Sequence, residues 1–343
     1  MYNKKNFFWD NDFLHTFGEA LHRATRCFLR YFFEKKGIIM SYKNSVKIFS
    51  SNFNWVYVQL LYNVICSAFV CLVSFLIAMP TINLLKAEGW FDAVARLVEA
   101  VYTTPRAINA SFKEIILTFF NILSNNFSAY WLSYIGFCLS AIILPMYLIG
   151  LSRYVVCKMS NAKISSLTNL GFFSTLFSEF GRASSYSLLR LLIDLVFLMF
   201  EIVLFCLYLM FADGVFLTIL LLIILLAFVL FLASLKLTVL ANFAPVMIEE
   251  NLPAGKALKR GATMSGRAFG RTLGNSVIVL LTLMVINVFF GVFTVGVGLF
   301  ITIPSTGVFI SLFMVTNFYT MEGKRYYLAD NLIVEPKKEN IEN

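Results

Sequence analysis

Six runs of apolar residues alternate with polar stretches along this 343-residue chain. A helix rising 1.5 Å per residue needs about 20 apolar residues to cross the hydrocarbon of a bilayer. The runs therefore predict transmembrane helices at about 55–79, 130–151, 188–211, 215–241, 276–295 and 299–320. Only Ala212-Asp213-Gly214 separates the third run from the fourth, which predicts a tight antiparallel hairpin. Two turn signals compete after the fifth run, Gly296-Val297-Gly298 and Pro304-Ser305-Thr306-Gly307; the first leaves two full-length spans and is preferred. Pro145 predicts a kink in the second span.

Two other stretches have helical periodicity without being apolar throughout. In residues 11–36, Phe13, Phe17, Leu21, Ala24, Phe28 and Phe32 recur on one face, and His15, Glu19, His22, Arg23, Arg26 and Arg30 fall largely opposite. Charges throughout argue against a secretory signal and for a cationic amphipathic helix lying on a membrane surface. Met40 could begin a shorter chain, so residues 1–39 are expected to be dispensable. The segment 81–127 is too long for a simple connector, and Gly89 to Val101 and Pro105 to Leu123 both read as amphipathic helices. The fold class is thus all-α, a polytopic membrane protein with six transmembrane helices plus an N-terminal amphipathic helix. Its parts are an N-terminal region 1–54, a membrane domain 55–321 and a tail 322–343.

Composition supports this: 59% of residues are hydrophobic and 14% charged, where a soluble domain carries about 25% charged residues. The net charge of +9 would fit a nucleic-acid binder, but its distribution points elsewhere. Placing the N-terminus in the cytoplasm puts 22 of the 28 lysines and arginines inside and four outside, with Arg190 and Lys236 at span edges. The reverse orientation violates the positive-inside rule in every loop. A plasma-membrane protein with both termini cytoplasmic is expected, with no nucleic-acid partner.

Candidate chemistry is sparse. The chain contains no G-x-x-x-x-G-K-[ST] and no H-E-x-x-H, and no histidine stands near a serine or cysteine in the spans. The six cysteines form no C-x-x-C pair and read as small hydrophobes. No catalytic residue, cofactor or metal is expected. Asp194, Glu201 and Lys236 do fall inside spans, where a charge costs about 2.5–3.5 kcal/mol on insertion scales. Folding the hairpin about Asp213 sets Lys236 level with Arg190 and one turn from Asp194, so a Lys236–Asp194 pair is expected, either to fix packing or to line an ion or substrate path. Glu201 has no evident partner and is the candidate titrating group. In the loop 248–275, Lys256, Lys259, Arg260, Arg267 and Arg271 form a basic surface suited to anionic headgroups, at about 1 kcal/mol per basic residue. Asn251 and Pro253 are positioned to start a helix there, although Gly261, Gly266 and Gly270 argue against an unbroken one. Asn287, Gly291, Gly296 and Gly298 suit close helix contact, within the chain or between copies.

The stretch Phe243-Ala-Pro-Val-Met-Ile-Glu-Glu250, followed by Ala257-Leu-Lys-Arg260, Gly270-Arg-Thr-Leu273, Ile303-Pro304 and Tyr319 to Tyr327, resembles a group of uncharacterised bacterial membrane proteins. That group is related to the membrane domain attached to some glycerophosphodiester phosphodiesterases. The resemblance covers about residues 242–330. It implies six helices and a bacterial plasma membrane, but not the phosphodiesterase activity, whose soluble domain this sequence does not contain. The expected function is a non-enzymatic membrane protein, lipid-interacting or a transport-associated subunit. Its expected partners are anionic lipids on the cytoplasmic side, with a membrane-protein partner or a second copy also possible. The alternatives are a small-solute or ion transporter using the intramembrane charges and, last, a lipid-modifying enzyme.

Overall fold

A computed structural model of the chain describes residues 36–103, 108–211, 215–329 and 332–336. The expected amphipathic helix 11–36 and the turn 212–214 lie outside them, apart from Lys36. The helices are α1 (Lys36–Ser51), α2 (Asn54–Ala87), α3 (Trp90–Thr103), α4 (Ile108–Asn125), α5 (Phe127–Ser166), α6 (Phe172–Ser178), α7 (Phe180–Phe211), α8 (Val215–Leu240), α9 (Phe243–Glu249), α10 (Ala254–Arg267), α11 (Phe269–Phe293) and α12 (Leu299–Glu322). Six are long and apolar enough to cross a membrane: α2, α5, α7, α8 with α9, α11 and α12. The protein is an all-α polytopic membrane protein. Helices satisfy every backbone N–H and C=O within one segment, which a hydrocarbon solvent requires.

Several helices outrun their apolar runs. α2 continues through Pro80 to Ala87. α5 passes Pro145 after a π-helical turn, Leu139–Ile143. That wider turn accommodates a ring that has no N–H to give. The helix then runs to Ser166, where Leu167 at φ 57° ends it with its N–H on the Lys163 carbonyl. The fifth and sixth spans turn at 294–298, the first of the two expected signals, and Pro304 lies inside α12. Asn287 donates to Thr306 Oγ1 at 3.0 Å, so it joins α11 to α12 within the chain.

α12 is the axis of the bundle. In its most apolar stretch 61% of residues are buried, against 6–22% in the other spans. It packs against α1, α2, α5 and α11, while α7 and α8 expose Leu192, Val196, Phe228 and Phe231 on the outside. α5 and α7 approach most closely at Gly150, where an added Cβ would run into Ser187.

One end of the bundle carries an ordered cap. α1 lies along α12, with Ser45 Oγ 2.6 Å from Thr316 Oγ1 and the Tyr42 and Phe49 rings edge-on to Phe309. After α12, which ends at Gly323 in the left-handed region, a short hairpin forms: β1 (Tyr326–Ala329) pairs antiparallel with β2 (Leu332–Val334). Tyr326 is buried and accepts from Asn44 Nδ2 at 2.6 Å. Burial lifts the Tyr326 phenol above its ordinary pKa. The sequence assigned these residues to a plain tail, because two strands of three and four residues leave almost no alternation to read.

The cap also corrects the expected helix start near Asn251. That residue does not cap α10; it turns the chain at φ 54°, and Pro253 in extended backbone precedes the helix. α10 runs unbroken through Gly261, whose missing side chain lets the backbone of Asn242 and Phe243 approach, and breaks at Ala268.

The close approach at Gly150 gives a test. Gly150→Ala should destabilise the detergent-solubilised protein by about 1–3 kcal/mol, the usual cost of overpacking. Gly307→Ala, where an added Cβ meets nothing within 4 Å, should leave thermal unfolding unchanged. Equal melting of the two variants would contradict the α5–α7 contact.

Candidate functional site

The intramembrane charges gather where α5, α7 and α8 meet near the capped end. Asp194 and Arg190 are one turn apart on α7, and Arg190 Nε lies 3.2 Å from Asp194 Oδ2. Lys236 on α8 brings Nζ to 3.6 Å from Asp194 Oδ1. Asp194 and Arg190 are 4% and 6% exposed. The contact is a charge pair without good hydrogen-bond geometry: Arg190 Nε and Nη1 and Asp194 Oδ1 have no hydrogen-bond partner. Glu201, two turns further along α7, is half-buried and makes no ion pair or hydrogen bond with them among the described residues.

A third cation belongs to this group. Arg153 on α5 is close enough to sense the like charge of Arg190 and the opposite charge of Asp194, yet it makes no ion pair or hydrogen bond among the described residues. Glu179 on the same side of the bundle pairs with Lys158 at 3.3 Å and Arg182 at 3.8 Å and makes no ion pair with Arg153. One carboxylate therefore faces three cations. The sequence placed Arg153 in a loop because the apolar run ends at Leu151. The uninterrupted helix-compatible stretch to Ser166 was the available signal.

Arg153 also lines a cavity of about 860 Å³ between α2, α5 and α12. The cavity reaches from Gln59 to Cys71 along α2 and from Leu299 to Ser311 along α12, about 18 Å of helix in each case. Its polarity changes along that length. Gln59, Asn63, Ser152, Arg153 and Ser311 line the end near the cap; Val70, Cys71, Leu299 and Phe300 line the other. Ser152 and Ser311 donate to carbonyls of their own helices, and Gln59 donates to Asn63, so Arg153 is the cation left at the polar end. Pro145, Pro304 and Gly307 all border the space. At Gly307 an added Cβ would meet nothing within 4 Å, so no neighbouring helix closes on that position.

A second polar cluster lies in the cap. Glu249, at the end of α9, accepts from Asn161 at 3.2 Å, Tyr319 at 3.2 Å and Lys324 at 3.1 Å, and Tyr319 also donates to Asn161 Oδ1. Arg182 donates to the Met247 carbonyl at 2.6 Å. These contacts tie α5, α7, α9 and α12 together.

Four of the basic residues of 248–275, Lys256, Lys259, Arg260 and Arg267, fall on one side of α10, and Arg271 lies beyond it. Lys256, Lys259 and Arg267 are exposed on α10. Arg260 pairs with Glu250 at 2.6 Å, which raises the arginine's pKa further. Arg271 is half-buried on α11, beyond the break at Ala268. Among the described residues no three His, Cys, Asp or Glu side chains come together as a metal site. Cys66, Cys71, Cys138, Cys157 and Cys206 are free thiols. No family model matches the chain, and it matches neither curated proteins nor solved structures.

Asp194→Asn would leave the buried Arg190 without its counter-charge and should lower stability by about 3 kcal/mol. Replacing Arg190, Asp194 and Lys236 together by Met, Leu and Met should recover most of that loss. Lys236→Met should cost less than Asp194→Asn, because Arg190 still faces the carboxylate. Glu201→Gln should change melting little. Thermal unfolding in detergent would read all four, and a large loss in Glu201→Gln would place that carboxylate in a network this structure does not contain.

Proposed function

We propose that this is a non-enzymatic plasma-membrane protein that binds a lipid-like amphiphile in the cavity between α2, α5 and α12. The capped end lies in the cytoplasm, with both chain termini on that side. The observation that carries this reading is the cavity's polarity gradient: a polar end with an arginine at the level where the second apolar run stops, and a hydrocarbon-like end reaching into the bilayer. A small polar solute would meet mostly apolar side chains along the second half of such a space, with Ser67 as the hydroxyl there. Ion transport through Asp194 fits less well, because that carboxylate already faces two cations within 4 Å. The positive-inside distribution supports the orientation, and the resemblance over residues 242–330 supports a bacterial plasma membrane.

Two measurements test this. Gly307→Phe would fill the cavity from a helix position with open space beside it. Mass spectrometry of the detergent-purified protein should then find far less co-purified lipid than in the wild type, at unchanged melting temperature. Unchanged lipid content would remove the cavity as the binding site. For orientation, the native cysteines are first replaced. A cysteine at exposed Gly266 should react with an impermeant maleimide only in inverted vesicles, and one at exposed Glu99 only in intact cells. The opposite labelling would reverse the topology.

A further inference from the structure

The occupant's charge follows from the cluster beside the cavity. This rests on the amphiphile reading above and names the class of amphiphile. We infer that Arg153 is the headgroup receptor and that the cavity takes an anionic lipid of the inner leaflet, with its phosphate at Arg153 and a hydrocarbon chain towards Phe300.

The argument is electrostatic first. Arg190, Lys236 and Arg153 share a single carboxylate, Asp194, and two of the three are within 4 Å of it. The third, Arg153, lines the cavity and makes no ion pair or hydrogen bond among the described residues. An unpaired cation at the edge of a low-dielectric space is costly, and a phosphate oxygen pair matches a guanidinium in both charge and fork geometry. The surplus positive charge also disfavours a zwitterionic headgroup, whose ammonium would be brought beside Arg153. Depth is the second part. Arg153 follows the last residues of the second apolar run, Arg190 opens the third and Lys236 is near the end of the fourth. The three cations thus sit at the hydrocarbon boundary, where a lipid phosphate resides. The cavity continues from there for about 18 Å of helix, its far half apolar, so a lipid entering sideways would keep its phosphate near its ordinary depth.

The surface basic residues Lys256, Lys259 and Arg267 are a separate matter. They are open to water, so they can add to membrane attraction but do not select one molecule.

The test uses the full chain in nonionic detergent micelles. Pyrene-labelled phosphatidylglycerol and pyrene-labelled phosphatidylcholine serve as probes, with inorganic phosphate as a competitor. The wild type should prefer the phosphatidylglycerol probe. Arg153→Gln should reduce that preference by about fivefold, the factor corresponding to ~1 kcal/mol per basic residue, while binding of the phosphatidylcholine probe stays the same. Arg153→Lys should keep part of the preference. Arg153→Gln should melt no lower than the wild type, since it removes an unpaired charge, and a clear loss of stability would show Arg153 to be a packing partner and overturn the inference. Gly307→Phe should weaken both probes. If Gly307→Phe abolishes binding but Arg153→Gln keeps the full preference, the headgroup assignment fails and the amphiphile reading stands. If Gly307→Phe binds both probes normally, the amphiphile reading itself fails. Displacement of the lipid probe by inorganic phosphate alone would mean a site for a free anion and would overturn the lipid as its source.

Discussion

Asp194 is the one negative charge set among three cations where α5, α7 and α8 meet, and the packing of that part of the bundle depends on it. A carboxylate 4% exposed needs counter-charges to offset its burial, and Arg190 and Lys236 come within 4 Å of it. The requirement runs both ways. Arg190 is almost as deeply buried and has no other counter-charge among the described residues, so α7 is held in one rotation and α8 in one register against it. The close approach of Gly150 to Ser187 then draws α5 against α7, which delivers Arg153 to the same level. Arg190 and Lys236 occupy the positions beside the two carboxylate oxygens of Asp194, and Arg153 makes no ion pair with it among the described residues. The unpaired guanidinium is thus a consequence of how the pair is satisfied.

The cavity has a different physical origin. Lipid-facing helices gain little by packing tightly unless small residues or hydrogen bonds draw them together. α5 and α7 have such a contact, and α11 is joined to α12 by Asn287 and Thr306. Where α2, α5 and α12 converge, Pro145, Pro304 and Gly307 border an open space instead. Tyr62, donating to the Leu148 carbonyl at 2.9 Å, fixes α2 to α5 beside the opening. The space is therefore bounded by a firm contact next to a region of deliberate looseness.

The cap restrains the same helices from outside the apolar zone. Glu249 gathers donors from α5, α12 and the residue following Gly323, and Arg182 reaches from α7 to the end of α9. Asn44 and Tyr326 tie α1 to the hairpin. A ligand that shifted α2, α5 or α12 would be felt in this network, because α12 is common to both.

Periodicity and length alone determined the six spans, the paired helices between the first two, and the turn before Leu299. Hydrocarbon imposes one strong rule on sequence, that apolar residues must persist for the thickness of the bilayer. The Lys236–Asp194 approach was also legible, because a short hairpin fixes which residues face each other. The helix extension beyond Leu151, the loss of a continuous basic stripe at Ala268, the hairpin after Gly323 and the exclusion of Glu201 from the charge cluster were decided by tertiary structure. The hairpin, for one, turns on a contact between residues far apart in the chain, Tyr326 with Asn44. Sequence periodicity reports which face of a helix is apolar. Which neighbour that face meets, and whether a charge on it finds a partner, follows only when the helices are packed.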